Sequence, residues 1–154
     1  MKVNGEKTST EHRVRGYVRI ERTWRKGDVV ELDLPMPVET VRAHPKVTAN
    51  LGRVALMRGP LVYCLESLDN GAAPDTFALV PRADFATESW PDRLGGIVAI
   101  RASASGEPSS GWGEGLYAAT PKVSPTSHRI VAVPFYANGN RGPVEMAVWI
   151  PRTA

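Results

Sequence analysis

Short bursts of alternating apolar and polar residues, each ended by glycine, proline or asparagine, set the pattern of this chain. Residues 17–22 alternate apolar and charged side chains, and residues 30–34 do so strictly. The second segment predicts one face of Val30, Leu32 and Leu34 and an opposite face of Glu31 and Asp33. Both read as half-buried strands. The turn between them falls in residues 24–28, where Gly27 can take a left-handed conformation and Trp24 is available to cover a core edge. Upstream, Asn4-Gly5 is hairpin-turn chemistry, since both residues tolerate positive φ. Pro35 and Pro37 lack backbone donors and end the strand pair, so a domain seam is expected there. On that reading residues 1–37 are terminal strands of a preceding β-sandwich or a first hairpin, and residues 38–154 are a C-terminal β-sandwich.

Beyond the seam, two apolar runs over residues 53–58 and 61–66 predict central strands, with Gly59-Pro60 bending the chain between them. Asp69-Asn-Gly71 is a turn signal. Residues 77–80 and 97–100 predict short apolar strands. The looser segment between them, with Asp84, Glu88, Trp90 and Pro91, leaves room for a single helical turn. Residues 102–115 are rich in Ser, Gly and Pro and predict a long surface loop, with Trp112 its one large side chain. Strands over residues 129–136 and 145–150 close the chain, with an irregular loop at 138–143. Glycine and proline total 27 residues and leave no room for an ordinary amphipathic helix. The expected class is therefore all-β: an antiparallel β-sandwich of short strands with little or no helix.

Length and charge narrow the function. A chain of 154 residues with 42% apolar residues suits a globular domain. The formal net charge is +3 and the basic residues are interspersed with acidic ones, so no phosphate-tracking stripe forms and nucleic acid is not an expected partner. No apolar run approaches the roughly 20 residues that span a bilayer, so no membrane partner is expected either. The opening residues run directly into a strand and turn without a signal-peptide pattern, which predicts a truncated start and a cytoplasmic location.

Catalytic chemistry finds little support. Cys64 is the single cysteine and lies in an apolar run, where a thiol packs as a small hydrophobic group and resists ionisation. His12, His44 and His128 fall in loops or at strand ends without ligand spacing, and His44-Pro45 reads as a turn. Glu66 and Asp69 are close in sequence, yet a strand end and its turn are expected to aim side chains in unrelated directions, unlike a glycosidase carboxylate pair. Ser124, Ser127 and His128 lack the turn that exposes a serine nucleophile. No catalytic residue and no metal ligand is therefore assigned. Sugar binding is the stronger alternative: Trp112 and Tyr117 offer an aromatic platform, with Asn138 and Asn140 as polar partners. Trp24, Tyr63, Tyr136 and Trp149 sit in strand-like patterns, where packing is the expected role.

Several segments together resemble the C-terminal portion of the β-L-arabinofuranosidases of glycoside hydrolase family 127. They are Gly16-Tyr-Val-Arg-Ile20, Trp24-Arg-Lys-Gly-Asp28, Leu32-Asp-Leu-Pro-Met36, Gly52-Arg-Val-Ala-Leu56, Arg58-Gly-Pro-Leu-Val-Tyr-Cys-Leu-Glu66, Val133-Pro-Phe-Tyr136, Asn140-Arg-Gly-Pro143 and Glu145-Met-Ala-Val-Trp149. The resemblance implies a parent glycoside hydrolase with an (α/α)6-barrel catalytic domain followed by β-sandwich domains. It further implies that a zinc-bound cysteine nucleophile lies in the barrel, so that no cofactor belongs to this chain. The family usually carries an aromatic residue shortly after the tyrosine of the terminal motif, whereas here Ala137-Asn-Gly139 follows Tyr136. The implied role is a non-catalytic structural domain that packs on the barrel and supplies a homodimer surface. A binding module for arabinose-containing glycans is the alternative.

Overall fold

A computed structural model describes residues 1–106, 116–117 and 124–153. The chain divides into two compact units, Met1–Met36 and Pro37–Ala154. In the first, β1 (Lys2–Val3) turns through Asn4 and Gly5, at φ 52° and 82°, into β2 (Glu6–Lys7). Strands β3 (Arg13–Val14) and β4 (Tyr17–Val18) form a second hairpin, and β5 (Val30–Glu31) pairs with β1. The Asn4 side chain ties the two ends of this unit together. Its Nδ2 donates to Asp28 at 2.9 Å and its Oδ1 accepts from the Val29 amide at 2.8 Å. The alternation at 30–34 does not bury a face here: Val30, Leu32 and Leu34 are 47%, 61% and 68% exposed, and Val3 is the one buried apolar residue of the unit. Two-residue strands without an opposing layer have nothing to bury that face against.

The second unit is a nine-stranded sheet that is antiparallel in every strand pairing. Its strands are β6 (Val38–Val41), β7 (Arg53–Arg58), β8 (Leu61–Glu66), β9 (Phe77–Leu79), β10 (Ala86–Trp90), β11 (Ile97–Gly106), β12 (Thr126–Pro134), β13 (Met146–Ala147) and β14 (Ile150–Pro151). One path runs β10-β11-β12-β8-β7-β14, with β9 added on β11, β6 on β7 and β13 on β8. The sheet curls until its ends meet. Leu79, at the end of β9, bridges Arg152, just past β14, and the Thr153 amide donates to the Leu79 carbonyl at 3.0 Å. The all-β, antiparallel class with little helix is thus present, and one curled sheet supplies both walls around the core. Helix is confined to the single turn α1 (Ser67–Asn70) and short 3-10 turns among the described residues.

Alternation sorts the second unit into two packed layers. Inside the curl lie Val54, Leu56, Tyr63, Leu65, Phe77, Leu79, Ile100, Ala102, Ala104, Ile130, Ala132 and Ile150. On the other face, Cys64, Ala99, Val131 and Val133 pack with Trp90, Ile97 and Ala137. Two expectations are corrected. The looser segment at 84–91 contains β10, which is a strand because its residues pair with β11 from Ala86↔Arg101 to Trp90↔Ile97 and bury Trp90. Residues 102–106, expected in a loop, are strand, since β11 continues through Gly106. Small residues belong there: a Cβ on Gly106 would come within 2.7 Å of the His128 ring. Residues 107–115, with Trp112, lie outside the described residues.

Candidate functional site

Glu66 and Asp69 converge, contrary to the expectation that they diverge. Glu66 ends β8 with its side chain 1% exposed, and the α1 turn that follows swings Asp69 back toward it. Gly71, at φ 71°, closes that turn in the left-handed conformation expected of a glycine cap. Both carboxylates bind Arg141. Its Nη1 donates to Asp69 Oδ1 at 2.8 Å, while Nη2 contacts both Asp69 Oδ2 and Glu66 Oε2. The remaining Glu66 oxygen accepts from the Gly139 amide at 3.0 Å. Hydrogen bonding to Asp69 and Glu66 holds the guanidinium pKa above its ordinary value.

Asn70 extends the clamp sideways. Its Nδ2 donates to the Val131 carbonyl at 2.9 Å and its Oδ1 accepts from the Val131 amide at 2.8 Å, so a side chain completes the ladder along β12. Together these bonds fix the 138–143 loop against the end of β8. The arrangement is a lock: both carboxylates bind the same arginine, and Glu66 is closed off from solvent. Sequence spacing could not reveal it, because Arg141 lies 75 residues from Glu66.

Cys64 sits two residues before Glu66 on β8, on the face turned away from the inner core, and is fully buried. Burial, with lesser contributions from the Glu66 and Asp69 charges, pushes its thiol up to about 12. A thiol so shielded resists ionisation at neutral pH. No group of three or more His, Cys, Asp or Glu among the described residues could hold a metal ion. The described residues therefore supply no donor set that fits a zinc centre. Two of the three histidine side chains have local partners: His128 meets Phe77 edge-on at 5.4 Å and Thr126 Oγ1 at 2.7 Å, and His44 Nδ1 accepts from the Lys46 amide at 3.1 Å.

The candidate sugar-binding residues are placed as follows. Trp112 lies outside the described residues. Tyr117 is 94% exposed. Asn138 and Asn140 sit on the locked loop just after the 3-10 turn Phe135–Ala137, with Asn140 exposed. Asn138 Oδ1 is buried without a hydrogen-bond partner among the described residues. The structure gives Tyr117 no hydrogen bond or ring contact to either asparagine. Two aromatics do stand beside that loop: Phe135 and Tyr136 are 48% and 62% exposed, although residue 136 was expected to pack. Trp24 is likewise 48% exposed, whereas Tyr63 is fully buried and donates to the Val98 carbonyl at 2.8 Å.

The C-terminal domain model of glycoside hydrolase family 127 matches residues 38–151. The chain belongs to glycoside hydrolase family 127. The family's middle domain, described as that of β-L-arabinofuranosidase, matches residues 1–36. A non-reducing end β-L-arabinofuranosidase of Bifidobacterium longum subsp. longum is 38% identical over 131 residues, which are 80% of this chain and 20% of that protein. Among solved structures, a family 127 β-L-arabinofuranosidase from Geobacillus stearothermophilus T6 superposes with a TM-score of 0.87 at 41% identity, covering 99% of this chain and 24% of that one. A second family 127 β-arabinofuranosidase superposes at 0.85 and 35% identity, covering 99% and 23%. The chain thus spans about a fifth to a quarter of the length of these relatives.

Proposed function

We propose that this chain is a non-catalytic structural part of a β-L-arabinofuranosidase-type glycoside hydrolase, and that it docks on the catalytic barrel of its parent. The observation that carries this reading is the contrast between its two matched regions. Residues 37–154 enclose their own core, whereas Met1–Met36 leaves Tyr17, Trp24, Leu32 and Leu34 exposed, as a segment would that completes its layers with chain from elsewhere in the parent. The shielded Cys64 and the engagement of Glu66 and Asp69 with Arg141 support a role without bond-breaking chemistry. Homodimerisation through the same structural region belongs to this proposal.

The test mixes the chain with the Geobacillus enzyme shortened by the segment this chain matches. Co-elution at micromolar concentration, with no hydrolysis of a synthetic β-L-arabinofuranoside by the chain alone, is the expected result. Separate elution would refute docking, and turnover by the isolated chain would refute the non-catalytic role.

A second reading, binding of arabinose-containing glycans, draws on the exposed Phe135 and Tyr136 beside Asn140. Aromatic faces and a nearby amide are the elements of sugar recognition. Saturable amide shifts at residues 135–140 on titration with arabinofuranosyl oligosaccharides, absent with a control sugar, would favour it over a purely structural role.

A further inference from the structure

The arginines of the second unit divide into two groups by what they touch. From residue 37 onward the sequence holds nine. Arg53, Arg101 and Arg141 pair with carboxylates, Arg129 donates to Ser103, Arg93 lies over Trp90, and Arg58 is engaged. The side chains of the other three, Arg42, Arg82 and Arg152, have no ion-pair or hydrogen-bond partner among the described residues. All three line one cavity of about 180 Å³, and no acidic residue among the described residues lines it.

The cavity lies where the curled sheet closes on itself. Arg42 follows β6, Arg82 lies in the turn after β9, and Arg152 follows β14, so strands distant in sequence bring the three charges to one mouth. Arg82 holds φ 57°, a left-handed conformation that a non-glycine residue adopts at a cost. Thr40 and Thr153 add hydroxyl groups, and Val54, Leu79 and Phe85 line the apolar part. Like charges gathered without a counter-charge raise the local potential, and guanidinium groups match the oxygens of carboxylates and phosphates. The volume is below that of drug-sized pockets, which suits a small anionic group and not an oligosaccharide.

We infer that the cavity bounded by Arg42, Arg82 and Arg152 is a binding site for a small oxyanion, either a phosphate group or the carboxylate of an acidic sugar. This inference is independent of the proposed docking role. Its test is a two-dimensional amide and Arg Nε–H titration of the whole chain with inorganic phosphate and with glucuronate, at constant ionic strength, with arabinose as a neutral control.

Saturable shifts at residues 40–42, 82 and 152–153 are expected with at least one anion and not with arabinose. Response to phosphate alone identifies a phosphate site, and response to glucuronate alone identifies a carboxylate site. Arg42→Gln and Arg152→Gln should each weaken binding roughly tenfold, the loss of one charge-assisted contact. Arg129→Gln, which changes an arginine outside the cavity, should leave binding unchanged. The inference fails if neither anion gives saturable shifts up to roughly tens of millimolar, or if the cavity variants bind as well as the parent chain. It also fails if Arg101 and Arg129 respond equally. Retained dispersion in each variant's spectrum separates lost binding from lost folding.

Discussion

The two units of this chain share a strand pattern and differ in what the pattern encloses. Residues 30–34 alternate strictly and residues 61–66 are a continuous apolar run, yet Leu32 and Leu34 are exposed while Tyr63 and Leu65 are fully buried. Alternation aims side chains to one side of a strand; whether that side becomes a core depends on a second layer. In residues 37–154 the curling of one sheet supplies that layer. In Met1–Met36 three short pairings, β1 with β2, β1 with β5 and β3 with β4, supply none.

The largest energetic difference should come from the buried charge lock. Arg141→Ala would leave Glu66 buried without its cation, a change that typically costs about 3–5 kcal/mol, and urea denaturation should show a large fall in midpoint. A midpoint within experimental error of the parent chain would show that the lock is dispensable. Next comes core truncation: Leu65→Ala should cost about 2–5 kcal/mol, whereas Leu32→Ala in the first unit should change stability by no more than about 0.5 kcal/mol. Equal losses would erase the distinction between the units.

A pH effect sharpens the same comparison from inside the second unit. Burial raises the Cys64 pKa to about 12 from an ordinary 9.0. The folded state therefore binds the thiol proton more tightly than the unfolded state, and this contribution is fully present below about pH 9 and is lost as pH rises toward 12. Within that window stability should fall by roughly 1 kcal/mol per pH unit, and Cys64→Ala should flatten the fall relative to the parent chain. An unchanged slope in the variant would assign the alkaline loss to other groups. The smallest effect is expected at the half-exposed Arg101–Glu88 pair: Arg101→Gln should cost no more than about 1 kcal/mol, measured in the same denaturation assay.

Much of this architecture is legible in the residue order, and the failures have physical causes. The runs at 53–58 and 61–66 emerge as β7 and β8 because continuous apolar character with β-branched and aromatic residues fits a strand buried on both faces. Gly27, Gly59 and Gly71 all take positive φ at the expected turns. Strand β10 was hidden because Glu88 and Trp90 become strand residues through pairing with β11, a tertiary effect. The end of β11 was hidden because Ala102, Ala104 and Gly106 resemble loop composition, although their small size is what the crowded interior accepts.

Site chemistry was harder to read than fold. The clamp of Glu66, Asp69 and Arg141, and the cavity of Arg42, Arg82 and Arg152, both join residues far apart in sequence. Local spacing carries no trace of either. The irregular loop expected at 138–143 is present, but its locking depends on Gly139 and Arg141, whose partners lie at the end of β8 and in α1.

Native-state hydrogen exchange, resolved residue by residue, tests most directly whether residues 37–154 are self-sufficient while Met1–Met36 is an incomplete layer. The account predicts that amides of β8, β11 and β12 exchange only through global opening, while those of β1 to β5 exchange orders of magnitude faster. Equal protection across both units would contradict it, and would mean that the exposed strands of Met1–Met36 are as stably folded as the enclosed sheet.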